Sequence, residues 1–387
     1  MIDHKWKHGK KLIILLVFSF LVFYFVFLPI IFREHYVSSV AYNFDIVKES
    51  PVLVEEPLPT YLQTPVELKA IYMTSWVASQ KSLREELVRL IDQTELNSIV
   101  IDIKDYSGKI VFKIKSPELK QYGSEEVRVR DLREFIEELH QKGIYVIGRI
   151  AVFQDAYFVK YRPDLAVKNK SGSSVWKDRK GISWIDPASQ EYWDYIVLLS
   201  KEARDVGFDE INFDYIRFPS DGDMSDISYP WSSSTPKTVV LENFFKYLSE
   251  SLLDSGLTTS ADLFGMVTTA QNDMGIGQIL EKALPYFDYI SPMVYPSHYP
   301  PNFEGFKNPE AHPYEIVNLS LKRAVERAIV ASSSPEKIRP WLQDFGLKMT
   351  YGPNEVRAQI KAVNDLGLSS WMLWSASNRY TKDALGI

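Results

Sequence analysis

The chain has no cysteine. Disulfides, a thiolate nucleophile and cysteine-ligated zinc are thereby excluded. Histidine is scarce, with six in 387 residues. From residue 66 onward only His140, His298 and His312 occur, without a His-x-His pair or a His-Glu-x-x-His run. Histidine-based zinc or binuclear hydrolysis is therefore not expected. His140, just before Gly143, reads as a surface or helix-capping residue. An excess of positive charge is also missing: the net charge is −6, with no basic stripe of the kind a nucleic-acid partner requires. There is no Gly-x-Ser-x-Gly elbow and no phosphate loop. Gly275-Ile276-Gly277 lacks the rest of a dinucleotide fingerprint. No cofactor is required, though a cluster of acids at the rim could hold Ca2+.

One long hydrophobic run is present. Residues 12–32 contain no charge and follow Lys5, Lys7, Lys10 and Lys11. A run of ~20 apolar residues spans a bilayer, and the basic flank stays on the cytoplasmic side. A cleaved signal peptide is the alternative, but its apolar region is ~7–15 residues before a small-residue cleavage site. This run is longer and ends in Leu28-Pro29-Ile30-Ile31-Phe32-Arg33, without an Ala-x-Ala. An uncleaved, single-pass signal anchor is the better reading. The chain then divides into a cytoplasmic basic segment (1–11), a transmembrane anchor (12–32), a linker (33–65) with Pro51, Pro57, Pro59 and Pro65, and an extracytoplasmic globular domain (66–387). Prolines keep such a linker extended.

Eight strand-like runs fall at residues 70–76, 98–105, 145–152, 210–218, 259–267, 289–296, 338–345 and 369–376, separated by amphipathic helical stretches. Strict alternation means parallel strands with crossover helices. Eight units predict a (β/α)8 TIM barrel, whose chemistry sits at the C-terminal ends of its strands. Helix-to-strand connections are short and carry Gly143, Gly207, Gly256 and Gly367, where a helix end favours a left-handed residue. Strand-to-helix connections are long at 153–187, 219–237 and 297–313, all on one face. Long loops in a compact domain are usually functional, and these suggest an open groove suited to endo action. Little chain follows residue 376, so the eighth helix must be abbreviated.

Acidic residues recur at the strand ends. In 209–219, alternation points Ile211, Phe213 and Tyr215 to the helices, and Asn212 and Asp214 into the barrel. An acid there needs a partner or water; Arg149 or Arg217 could supply a structural ion pair. Asp262 interrupts the fifth run and Asp344 lies near the end of the seventh. In the second run Asp102 and Lys104 share a face and read most simply as a structural pair, with Asp105 at the rim. Glycosidic cleavage needs two carboxyls, one donating a proton and one attacking carbon or activating water. Aromatics make up 13% of the chain, and Trp76, Tyr295, His298, Tyr299 and Trp374 fall near strand ends. Their flat faces suit the apolar faces of sugar rings, although any one of them could equally be core.

The segments 70–76, 208–219, 289–299 and 371–374 together resemble a bacterial family of glycoside hydrolase-like proteins first described as a domain of unknown function, DUF4015. The resemblance covers roughly residues 69–378. It implies a TIM-barrel glycosidase-like domain distantly similar to the α-amylase-type barrels. There an Asp ending strand four is the nucleophile, an acid on strand five the proton donor, and an Asp on strand seven stabilises the transition state. Asp214, Asp262 and Asp344 occupy these places, although amylase-like enzymes carry Glu on strand five and Asp262 lies deep in its run. The expected catalytic set is Asp214, Asp262 and Asp344. The expected sugar contacts are Arg217, Asp102, Tyr295, His298, Trp374 and Trp76. The resulting reading is a membrane-anchored extracytoplasmic glycoside hydrolase acting on a cell-surface or secreted polysaccharide. The alternatives are a non-catalytic carbohydrate-binding scaffold of the envelope, or a glycan lyase or transglycosylase.

Overall fold

The computed structural model describes residues 59–386. The eight strands are β1 (Lys69–Met73), β2 (Ser98–Lys104), β3 (Tyr145–Ala151), β4 (Glu210–Asp214), β5 (Thr258–Phe264), β6 (Tyr289–Met293), β7 (Trp341–Gln343) and β8 (Trp371–Trp374). They pair in sequence order, all parallel, and β8 pairs with β1 to close the barrel. The crossover helices are α1 (Lys81–Asp92), α2 (Leu132–Gln141), α3 (Gln190–Val206), α4 (Lys237–Leu252), α5 (Leu280–Ala283), α6 (Pro313–Val330) and α7 (Pro353–Asn364). The (β/α)8 expectation is met for the described residues. Among them no helix is long and apolar enough to cross a membrane. The proposed anchor 12–32, the segment 1–11 and residues 33–58 of the linker lie outside the described residues.

Two apolar layers hold the barrel together. The larger lies between strands and helices and includes Ile99, Ile101, Ile103, Phe213 and Leu263. The smaller fills the barrel itself, with Ala70, Tyr72, Val100, Tyr145, Ile147, Trp341 and Met372. Below it, at the N-terminal end, Glu210 and Arg339 form a fully buried ion pair. Ser260 donates to Glu210 Oε1 at 2.5 Å and Tyr145 to Oε2 at 3.3 Å. Burying a charge is costly unless it is paired and hydrogen-bonded, and Glu210 is both. The end of the stretch read as linker is docked there. The Leu62 N–H donates to Asp209 Oδ1 (2.8 Å), and Thr64 Oγ1 lies 3.0 Å from the Tyr145 hydroxyl. His140 is buried rather than superficial: its Nε2 sits 2.9 Å from Asp209 Oδ2.

Among the described residues no α-helix follows β8. A 3-10 turn at Lys382–Ala384 follows β8. Side chains of the tail bind β1 and β7 instead. Asn378 Oδ1 accepts from the Thr74 N–H (3.0 Å), the Tyr380 hydroxyl accepts from the Tyr72 N–H (3.0 Å), and Thr381 donates twice to Asp344. These bonds tie the tail across the seam formed by β7, β8 and β1. The three long loops expected on the C-terminal face are present, and the β2–α2 connection, residues 105–131, is a fourth. Its buried Ile110, Val111, Phe112 and Ile114 explain why composition alone did not mark it as a loop.

Candidate active site

At the C-terminal mouth the strands contribute polar groups in sequence. β1 supplies Tyr72, β2 Asp102, β3 Arg149 and β4 Asp214. The Tyr72 hydroxyl donates to Asp102 Oδ2 at 2.5 Å. Arg149 donates from Nη1 to Asp102 Oδ1 (2.6 Å) and from Nη2 and Nε to Asp214 Oδ2 (2.5 and 3.2 Å). All four are buried. Burial works against the charge of Arg149, but Asp214 and Asp102 outweigh it and hold its pKa well above the ordinary value. Asp102 is pushed above the ordinary carboxylate range by burial, and Arg149 partly opposes this. Arg149, rather than Arg217, is the ion-pair partner of Asp214.

Alternation along β4 holds as far as Asp214, and Asn212 and Asp214 both face the interior. It fails at the next residue. Tyr215 is left-handed, with φ 53°, an uncommon conformation for a bulky residue and one found at functional sites. The strand ends there, the Tyr215 N–H donates to Asp214 Oδ1 at 2.5 Å, and the Tyr215 ring lines the mouth, edge-on to Trp184 at 5.8 Å. A second irregularity lies in β2. A bulge between Asp102 and Lys104 sends their side chains apart. They are not paired with each other: Lys104 meets Asp155 at 2.9 Å, fully buried on the helix side.

Asp262 on β5 is the second carboxyl of the mouth. Pairing of Phe213 with Ala261 puts Asp214 and Asp262 level on neighbouring strands. Asn212 Nδ2 and Trp341 Nε1 both donate to Asp262 Oδ1, each at 2.8 Å. No hydrogen bond among the described residues engages Oδ2. Burial first, then the charge of Asp214, push the Asp262 pKa well above the ordinary range. This is the setting of a carboxylic acid rather than a carboxylate.

These groups open on a cavity of about 520 Å³ lined by Arg149, Asp214, Asp262, Tyr295, Trp374 and Arg217, among others. Trp374 stacks on Tyr72 with centroids 4.0 Å apart and meets Trp341 edge-on at 5.6 Å. The Tyr295 phenol is held well above its ordinary pKa by burial and then by Asp262 and Asp214, so it keeps its proton as a donor. His298 lies at the rim with Nδ1 2.9 Å from Ser297 Oγ. Gly265 forms part of the wall. A Cβ there would fall 2.3 Å from the Met293 carbonyl oxygen, so β5 and β6 approach closely only because this residue is glycine.

Three expected site residues lie outside the cavity lining. Asp102 stands behind Arg149. Asp344 is held by the N–H and hydroxyl of Thr381 at 2.8 and 2.7 Å, at the seam described above. Trp76 is 56% exposed, with the Arg128 guanidinium 4.4 Å from its ring centroid. Conversely, Arg149, Tyr215, Trp341 and Lys180 belong to the site or its support. Arg149 had a readable signal, a charge interrupting an apolar strand. The others had none.

A closed parallel barrel with two level carboxyls in an aromatic-lined mouth, one ion-paired and one pushed above the ordinary carboxylate range, fits the glycoside hydrolase class. The chain belongs to the DUF4015 family, described as "Putative glycosyl hydrolase domain", which matches residues 70–380. In fold it is similar to the PgaB (BpsB) glycoside hydrolase domain from Bordetella bronchiseptica. That likeness has a TM-score of 0.57 and 14% identity, covering 84% of this chain and 99% of that one. A hypothetical protein from Ruminiclostridium thermocellum is 33% identical over 50% of this chain and 96% of its own, with a TM-score of 0.45. The spore cortex-lytic enzyme SleL of Bacillus megaterium gives a TM-score of 0.49 at 11% identity, covering 82% of this chain and 72% of that one. No curated protein matches the chain.

Proposed function

We propose that the chain is a membrane-anchored, extracytoplasmic glycoside hydrolase of a cell-surface or secreted polysaccharide, with Asp262 as proton donor and Asp214 as its carboxylate partner. The observation that carries this is the division of labour between two level carboxyls. Asp214 is ion-paired with Arg149, while Asp262 forms no ion pair among the described residues and is driven towards its neutral form. A carboxyl driven towards its neutral form beside one held in an ion pair is the arrangement of an acid and its carboxylate partner.

The proton on Asp262 Oδ2 passes to the glycosidic oxygen as that oxygen leaves the anomeric carbon. Neighbouring parallel strands lie ~4.8 Å apart, nearer the ~5 Å of double displacement than the ~6.5–9.5 Å of inversion. Asp214 accordingly forms the bond to the anomeric carbon, and water, deprotonated by Asp262, then releases the sugar with retention. Both Asp214 oxygens already accept hydrogen bonds, but each has a further lone pair. Arg149 keeps the carboxylate oriented. Tyr295, Trp374 and His298 contact the sugar ring. Asp102 acts through Arg149, and Asp344 secures the tail. Trp76 offers an outlying platform.

The test is reducing-end release by the full chain from a panel of bacterial cell-wall and capsular polysaccharides, followed across pH. Release should fall as pH rises through the raised Asp262 pKa, so this limb lies above the ~3.9 of an ordinary aspartate. The first-formed anomer by proton NMR should retain configuration. Binding without release from any polymer would favour the scaffold reading instead.

Anchoring rests on residues 12–32 and their lysine flank. The chain should stay with membranes after alkaline carbonate washing and be trimmed by protease added to intact protoplasts. Release by carbonate, or protection from protease, would overturn that part.

A further inference from the structure

We propose that the sugar taken by the cavity carries an anionic group, a carboxylate or a phosphate ester, held by Arg217 and Lys180. This rests on the reading of the cavity as the sugar site. It adds the substrate's charge, which neither the carboxyl pair nor the family determines.

Arg217 lines the cavity and is only 8% exposed. Its guanidinium lies against Phe264, Trp184 and Tyr215, at 4.5, 4.9 and 5.3 Å from their centroids. Its Nη1 donates to the Phe218 carbonyl (3.0 Å) and Ser220 Oγ (3.1 Å). It forms no ion pair among the described residues. The acids that face it are Asp214, Asp221 and Asp178. None is within ion-pair distance of it. Asp214 is committed to Arg149, and Asp178 is saturated by N–H donors. A buried cation without a counter-ion is costly, and an arginine fork suits carboxylate and phosphate oxygens in particular.

Lys180 lines the same cavity from an exposed turn and also has no ion pair among the described residues. The turn is built, not loose. Asp178 Oδ1 accepts from the N–H groups of Lys180 (3.0 Å) and Ile182 (2.9 Å). Its Oδ2 accepts from Trp184 Nε1 (3.0 Å) and Gln154 Nε2 (2.8 Å). One buried carboxylate thus positions both the turn bearing Lys180 and the indole beneath Arg217. A neutral glycan would leave both cations uncompensated. An anionic substituent would pair with them while the glycosidic bond lies over Asp214 and Asp262.

The experiment measures binding to the full chain carrying Asp214→Asn, so that turnover plays no part. The probes are uronic-acid oligosaccharides against their carboxyl-reduced forms, and phosphate-substituted oligosaccharides against their dephosphorylated forms. One charged member should bind about 10-fold or more tightly than its neutral twin, an advantage that shrinks with added salt. The pair that shows it identifies carboxylate or phosphate. Arg217→Gln should remove the advantage, and the exposed Lys180→Gln, which leaves the buried packing intact, should reduce it at least ~3-fold. Equal affinity within both pairs, no binding to any probe, or an advantage that survives both substitutions would overturn the proposal. A charge preference in a chain whose parent releases no reducing ends would leave it standing and sink the hydrolase mechanism.

Discussion

Asp214→Asn should lower reducing-end release by about 10⁴-fold, the upper end of what a single acid–base or nucleophilic carboxyl contributes. The fold should survive, because Arg149 keeps Asp102 at 2.6 Å as a counter-ion. The variant has a second readout. The Asp214 charge is the second cause, after burial, of the raised Asp262 pKa. Removing it should let Asp262 titrate lower, by carbon-13 NMR of the carboxyl, even though the residue itself is unchanged. Retained hydrolysis would remove Asp214 from the chemistry. An unmoved Asp262 titration would show that the two carboxyls do not feel one another.

The largest expected effect on stability belongs to Arg149→Met. This one cation serves Asp102 and Asp214 together. Removing one partner of a buried ion pair costs ~3–5 kcal/mol, because the other charge is left uncompensated. The loss should depend on pH in a definite sense. Without Arg149, both carboxyls are buried with their shared counter-ion gone, and their folded pKa values rise above the unfolded ones. A group of that kind contributes its stability at low pH and loses it as pH rises through the folded value. Asp102 and Asp262 are already displaced upward, so the variant should be much weaker than the parent near pH 8 and close to it near pH 5. Urea unfolding at the two pH values measures this. An equal deficit at both would mean that lost packing, not uncompensated charge, is what the substitution removes.

The barrel and half of its mouth were legible in the chain. Alternation of strand and helix patterns fixes a parallel order, and period-two alternation in 210–214 turns Asn212 and Asp214 inward. Asp262 could be singled out as the acid in an apolar run, and Tyr295 and Trp374 as rim aromatics. What was not legible is local departure from ideal geometry. The left-handed Tyr215 turns its ring from the helix side to the cavity, and the bulge after Asp102 separates it from Lys104. Neither has a signature in residue type, since tyrosine rarely adopts that conformation and a bulge needs only one extra residue. Asp344 matched in position just after β7, and the tail returns to occupy both its oxygens.

The sequence alone determined the architecture, the face on which the chemistry lies, and which residue types are present to perform it. Those follow from periodicity and composition, which are local. Only the tertiary structure decided which charges are neighbours. Among the described residues it made Arg149 the hub between Asp102 and Asp214, left Asp262 with hydrogen bonds but no ion pair, and left Arg217 and Lys180 without one. A carboxyl's protonation depends on burial and on charges a few ångströms away. Barrel closure brings those charges from β3, β4, β5 and the loops between them, tens of residues apart in the chain.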